Sequence, residues 1–440
     1  MNLIEVKQAK ILKKIKIFFF QSQKYKEEIS RLDLFYLCPF GQSKGTAKLF
    51  LFFNRIIALK IYLLATLKDF YKLLGIGRFR CIYANNLSKY KTIVINWALK
   101  KDFDKNGNFY DKHFNVKSDK CPNVQWILIY LDNKAPLKLK KNITLIYNKK
   151  NYFNIGIILN ALFKAIFKKK TLKFINQELS YKTQLANFLE EKTFGFINKK
   201  TTKVIMPYEG QPFQNTIFNS IKKINKKIKT IGYLHSFPIG LPSNLFKRNG
   251  HPQQLIVSSH SQKFCMNNYL DWKKKEIKIL PSARLLKKNK FKMDNKIFLP
   301  IQFNNIKLIL SSFKSLLVKE KLNLSGIEIR NHPSCHKSAK HIKLIISLKK
   351  IIKEFVSKKR KVKNLSIFIG PTGSVIEALE RDIKVYHICE IPELESYQKK
   401  IWKYIETNEI NNNVFIYNLR SKNKLINFGK HINLYKSYFY

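Results

Sequence analysis

The sequence predicts an α/β protein of two Rossmann-like domains facing a cleft, and three observations carry that prediction. Short apolar, β-branched segments alternate with helical patterns, the rhythm of parallel sheets joined by crossover helices. The rhythm occurs twice, interrupted by the polar, basic stretch Pro281–Asn295, which has linker composition and little periodicity. Several strand segments also end in Gly, Pro, His or acidic residues, where a parallel sheet presents its ligand-binding edge.

Taken in order, the first series predicts strands at 92–97, 126–131, 143–147, 204–206, 230–234 and 255–258, with helices between them. The second predicts strands at 296–300, 326–330, 365–369 and 384–388, and helices at 305–322, 339–357, 374–381 and 393–405. The corresponding division is an N-terminal α/β domain over 1–282, a linker over 283–295, and a second α/β domain over 296–410. A tail over 411–440 is expected to pack back on the first domain.

Composition excludes a largely disordered chain: 45% of the 440 residues are hydrophobic and 13% aromatic, enough for a sizeable core. Lys and Arg number 84 against 28 Asp and Glu, a formal charge of +56 that invites a nucleic-acid or anionic-membrane reading. Only ten of the 84 are Arg, however, and the Lys are spread along the chain among Asn, Ile, Phe and Tyr, as AT-rich coding would produce. The aromatics fall inside strand and helix patterns instead of forming a base-stacking platform, so nucleic acid is not the expected partner. No apolar run reaches the ~18–20 residues of a membrane span. Leu49–Leu74 is broken by Arg55, Lys60 and Lys68, which suits either a helix lying on an anionic membrane surface or a buried helix whose lysines reach solvent. The apolar block Ile17–Phe20 is short and lacks a cleavage site, so the expectation is a cytoplasmic protein, with peripheral association at the inner membrane face left open. Six scattered cysteines with no CxxC pair fit reduced thiols, and neither a metal site nor a cofactor is expected.

The strongest local motif is Leu365–Arg381, where an apolar strand runs into Gly370-Pro371-Thr372-Gly373-Ser374 and then a helix. Gly370 and Gly373 would let the backbone approach a phosphate, with Thr372 and Ser374 hydroxyls donating to it. Alternatively Ser374 and Glu377 form an S-x-x-E capping box that closes the helix without a ligand. Upstream, a strand ends in Arg330, Asn331, His332 and Pro333. Arg330 suits a phosphate and His332 suits proton donation to a leaving oxygen, or a backbone-satisfied histidine. His332, Cys335, His336 and His341 lack a zinc spacing.

In the first half a strand ends at Tyr208-Glu209-Gly210, where a carboxylate can take a proton from a hydroxyl or can simply favour a helix start. His235 ends the next strand before a Gly/Pro loop, as a cleft residue or a structural one. Asp102–His113 imitates a calcium loop, but its twelfth position is His113 instead of Glu, so a turn-rich surface loop is expected, from which Asp111 could still reach an acceptor.

Together, Tyr208-Glu209-Gly210, His332-Pro333 and the Thr372/Ser374 loop resemble the acidic-acidic-Gly, His-Pro and Ser/Thr-rich motifs of bacterial sialyltransferases and polysialyltransferases of the GT-B fold. The second half is also similar to the nucleotide-binding half of capsule Kdo transferases and of glycerophosphotransferases that use CDP-glycerol. The resemblance spans about residues 201–406. It implies an inverting, metal-independent glycosyltransferase using a nucleotide-sugar donor, with a CMP-activated acidic sugar favoured, and a glycan or lipid-linked acceptor. It also implies that the first domain takes the acceptor and the second the donor, with Glu209 as base, His332 assisting the leaving phosphate, and Arg330, Gly370, Thr372, Gly373, Ser374 and Glu377 around the donor. The implied alternative is transfer of a polyol phosphate such as glycerol phosphate. Two departures stand out: Tyr208 replaces the first acid, and Thr-Gly-Ser replaces paired serines.

Overall fold

The computed structural model describes residues 2–21, 79–83, 90–132, 134–148, 159, 163, 186–191, 195, 197, 199–286, 293–332, 335, 338–355, 364–429 and 436–439. The amphipathic stretch Leu49–Leu74 lies outside them. No helix of the described residues is long and apolar enough to cross a membrane.

The chain opens with helix α1 (Leu3–Gln21) and then builds an eight-stranded sheet. Its strands are β1 (Phe79–Tyr83), β2 (Thr92–Ala98), β5 (Val124–Tyr130), β6 (Ile143–Asn148), β7 (Lys203–Pro207), β8 (Lys229–Tyr233), β9 (Gln254–Val257) and β10 (Ile277–Ile279), in spatial order 1-6-5-2-7-8-9-10. All pairings are parallel except that of β1 with β6. Every residue of β5 is buried, as expected for a parallel strand covered on both faces. Helices α2 (Pro212–Ile224) and α3 (His260–Tyr269) follow β7 and β9.

The second sheet contains β12 (Lys296–Phe298), β13 (Glu328–Arg330), β14 (Leu365–Ile369), β15 (Lys384–Ile388), β16 (Ile405–Asn411) and β17 (Val414–Leu419), in order 13-12-14-15-17-16. Its first four strands are parallel and the last two form an antiparallel hairpin. Between them run α4 (Ile306–Lys319), α5 (Ala339–Glu354), α6 (Ser374–Glu380) and α7 (Pro392–Glu395).

Several sequence expectations change here. The boundary at 410 falls inside the β16–β17 hairpin, so the second sheet continues to Leu419. The stretch 283–295, expected as linker, begins within β11 (Ser282–Leu286), which pairs with β18 (Phe428–Gly429). Beyond β18, helix α8 (Lys436–Phe439) sets Phe439 against Phe114 and Trp126 of the first half. The helix expected over 393–405 stops at Glu395, because Ser396 is extended and Tyr397 and Trp402 turn to hydrogen-bond the first half. The loop 102–113, expected at the surface, is partly core: Phe109, Asp111, His113 and Phe114 are buried around the small hairpin of β3 (Tyr110–Asp111) and β4 (Val116–Lys117).

One apolar cluster runs through both halves, joining Val204, Met206 and Leu255 to Phe368, Val385 and Phe415. Two glycines let the backbones touch. A Cβ on Gly240 would stand 2.3 Å from the Ser396 carbonyl oxygen, and one on Gly373 2.2 Å from that of Phe237. Helix α1 braces the same seam. Its buried face, Ile4, Ile11, Leu12, Ile15 and Phe18, joins this cluster. Gln8 donates to the Ser396 carbonyl and Glu5 accepts from the Lys400 amide in the second half, while Phe19 packs on Phe246 in the first.

Candidate functional site

In each sheet the strand order reverses once, and the loops after β7 and β14, both singled out in the sequence, lie at those reversals. The first sheet grows from β2 through β5 and β6 toward one edge, and from β7 through β8, β9 and β10 toward the other. The second grows from β12 to β13 on one side and from β14 to β15 on the other. A reversal leaves a crevice at the carboxyl ends of its flanking strands, where α/β proteins take ligands.

At the first crevice, Glu209 follows β7 on a backbone pinned from several directions. Its amide donates to Gln214 Oε1, its carbonyl accepts from Asn244 Nδ2 at 2.7 Å, and Gln214 Nε2 returns to the Pro207 carbonyl. Gly210 has φ +68° and lies against the Asn244 carbonyl, so no larger residue fits the turn. Pro212 opens α2 with its fixed φ. The Glu209 carboxylate therefore has one well-defined position, with its side chain 23% exposed.

Three donors converge on that carboxylate. His235 Nε2, at the end of β8, is 3.2 Å from Oε1; Ser236 Oγ is 3.2 Å from Oε1; Gln211 Nε2 donates to Oε2 at 2.8 Å. Burial pushes the carboxyl up, but the hydrogen bonds from His235, Gln211 and Ser236 outweigh it and hold Glu209 down at about 2. It is an anion at neutral pH. Behind it the His113 ring stands edge-on to His235 with centroids 4.3 Å apart, and Trp97, near the end of β2, packs beside both. Burial, followed by the neighbouring His235, lowers His113 to about 2, so it stays neutral.

Asp111 lies beneath this cleft instead of lining it. It is fully buried and accepts hydrogen bonds from Asn96 Nδ2 and from the amides of His113 and Phe114. Burial raises it to about 6 against the pull of those bonds. Its work is to hold the loop that carries His113, and it cannot reach an acceptor.

At the second crevice β14, buried throughout, leads into Gly370, which faces Pro300 at the end of the neighbouring strand β12. The loop is tied at two carbonyls. His387 Nε2 lies 2.7 Å from the Gly370 carbonyl, and Tyr397 Oη lies 2.9 Å from that of Thr372. The first bond requires the Nε2–H tautomer, so His387 Nδ1 accepts from Tyr417 Oη at 3.1 Å. Burial lowers His387 to about 4 and keeps it neutral. Thr372 Oγ1 accepts from the Ser374 amide at 3.2 Å, leaving its own proton to donate outward.

The capping-box reading fails. Gly373 is the N-cap and Ser374 is already the first helical residue, so Ser374 and Glu377 form no capping box. Glu377 instead pairs with Arg381 one turn on at 2.9 Å. Arg330 and His332 stand at the end of β13, on the same carboxyl edge as Gly370 but two strand spacings, about 10 Å, away. The Arg330 guanidinium lies 5.9 Å from the Phe298 ring, and the His332 amide donates to Asn331 Oδ1.

The two crevices meet. Tyr397 Oη is within hydrogen-bond distance of the Pro238 carbonyl (2.8 Å), in the loop after His235, and of the Thr372 carbonyl (2.9 Å). Glu209, His235 and the Thr372 loop are thereby brought to one seam. The sequence motifs alone do not mark Ser236, Gln211, His113, His387 or Tyr397 as site residues. Ser236 adjoins His235, and His387 is a polar residue in an apolar strand, both readable signals; nothing local marks Tyr397.

Fold and site define an α/β protein whose two mainly parallel sheets join their carboxyl edges around a carboxylate–histidine pair and a Gly-rich loop. No protein-family model matches the chain, and no curated relative matches it. Among solved structures it is similar to an α,α-trehalose 6-phosphate synthase from Burkholderia multivorans, with 7% identity, a TM-score of 0.36, and coverage of 64% of this chain and 76% of that one. It is also similar to a glycosyltransferase from Rickettsia africae, with 10% identity, a TM-score of 0.31, and coverage of 67% and 78%. Both likenesses are remote, and the two-sheet architecture rests on the strand order itself.

Proposed function

We propose that the protein is a glycosyltransferase that moves a sugar from a nucleotide donor to a hydroxyl of a glycan or lipid-linked acceptor, with inversion and without a metal. A CMP-activated acidic sugar is the favoured donor. The observation that carries this reading is the tie made by Tyr397, which sets an ionised, hydrogen-bonded carboxylate on one sheet opposite a Gly/Thr/Ser loop on the other.

In this reading the acceptor enters over the first sheet and the nucleotide over the second. Glu209 is charged and oriented before substrate arrives, and it takes the hydroxyl proton as the new bond forms; its low basicity demands that the hydroxyl be already acidified in the transition state. His235 holds the carboxylate in place and receives part of the resulting charge change. Loop amides and the Thr372 hydroxyl stabilise the departing phosphate, with Arg330 and His332 reaching it from the same edge.

Thermal unfolding of the full chain with CMP, CDP, UDP and GDP tests the reading. A nucleotide present at 100 times its Kd stabilises by ~2.7 kcal/mol. Selective stabilisation by CMP supports the favoured donor, whereas selective stabilisation by CDP turns the reading to polyol-phosphate transfer. No response to any nucleotide overturns the proposal.

A further inference from the structure

Helix α1 has a second face that the seam leaves unused. At 100° per residue Leu3, Lys10 and Ile17 fall almost on one line, about 120° around the helix from the buried Ile4, Ile11 and Ile15. Lys7 and Lys14 flank that line on one side, Lys13 and Phe20 on the other. The apolar members are open to solvent: Leu3 is 68% exposed, Ile17 44% and Phe20 74%. The only acid of the helix, Glu5, points away from the stripe and binds the Lys400 amide. Among the described residues, Glu393 pairs with Lys7 and Asp271 with Lys16, both at the margins of the stripe.

We propose that this outward stripe of α1 is a contact surface for an anionic lipid bilayer. It combines two features that an anionic bilayer uses together. Lysines beside an anionic surface are drawn by its potential, each worth about fivefold in binding. Exposed Leu, Ile and Phe gain by entering the acyl boundary, whereas a hydrated acidic polysaccharide or a nucleic-acid backbone offers them nothing. The helix is already anchored through its inner face, so docking costs no folding. Its ~28 Å length gives the protein a defined edge against the membrane. The inference is independent of the transfer reading, because it is read out without donor or acceptor.

The test is flotation of the full chain with vesicles of phosphatidylcholine alone or mixed with phosphatidylglycerol. Binding to the mixed vesicles only, reversed by high salt, is expected. The pair Lys10→Glu and Lys13→Glu should weaken it on the order of 25-fold or more. The pair Ile17→Ser and Phe20→Ser should weaken it without changing its salt dependence. The control pair Lys349→Glu and Lys350→Glu, on exposed α5, should leave it nearly intact. Thermal unfolding confirms that each variant is folded. Equal loss from the α5 pair would assign binding to net charge and overturn the proposal. So would indifference to the Ser pair together with full displacement by soluble acidic polysaccharide, which would assign the stripe to an anionic polymer.

Discussion

The two carboxyl edges that meet at the seam are built on opposite plans. The first offers side chains: Glu209, His235 and Ser236 converge within hydrogen-bond reach, backed by His113 and the buried Asp111. The second offers backbone. There the titratable groups nearest the loop are withdrawn, with Glu377 bound to Arg381 and His387 buried beneath Gly370, while glycines bring main chain forward. A proton acceptor needs one group of controlled charge in one place. A phosphate-type ligand needs several weak donors and no competing carboxylate. Under the proposed function, the contrast fits proton acceptance to the first edge and ligand holding to the second.

The sharpest way to break the contrast is Glu209→Gln. It keeps the shape and removes the carboxylate proposed as base, so turnover should fall ~10²- to 10⁴-fold while nucleotide-induced stabilisation is unchanged. Wild-type turnover would show that the first edge is not the reactive one. Next is His387, whose withdrawn role has a pH signature. Its native value of about 4 lies below the ordinary 6.5, so the stability it contributes is complete above pH 6.5 and is lost as pH falls toward 4. At ~1.4 kcal/mol per pH unit, the gap between wild type and His387→Gln in urea unfolding should shrink by about 3 kcal/mol across that window. A constant gap would mean that the imidazole is charged in the native state and is not simply a clamp on Gly370.

Gly373→Ala probes the backbone side directly. The added methyl would meet the Phe237 carbonyl, although its φ of −75° suits any residue, so the loss is purely steric. A destabilisation of about 1–3 kcal/mol is expected, with weaker nucleotide stabilisation. Tyr397→Phe should have the smallest effect. It removes one hydroxyl whose single proton is shared between two carbonyls and should cost ~1–2 kcal/mol in urea unfolding. An unchanged midpoint would show that the edges are joined without it.

Much of this was legible in sequence because strand, breaker and helix follow each other locally. Val204–Gly210 and Leu365–Ser374 were recognisable as strand ends since apolar runs stop at Gly or Pro. Glu209 and His235 could be named from position alone. Their pairing could not, because it depends on β7 and β8 being neighbours in register. Asp111 misled because Phe109 and Phe114, which pull its loop into the core against Trp126 and Tyr233, bind across long sequence separations. The 393–405 helix misled for a related reason: tertiary bonds of Tyr397 and Trp402 overrode a good local pattern.

The apolar cluster shared by the two halves, with Gly240 and Gly373 pressed against opposing main chain, makes the seam a weld. Exchange of one half for that of a distant homologue is therefore a carpentry problem as much as a chemical one. A graft over 296–419 that ignored 237–241 and α1 would bring its side chains to a joint cut for another piece. If the proposed function holds, the Thr372 loop is better edited in place than exchanged with its half.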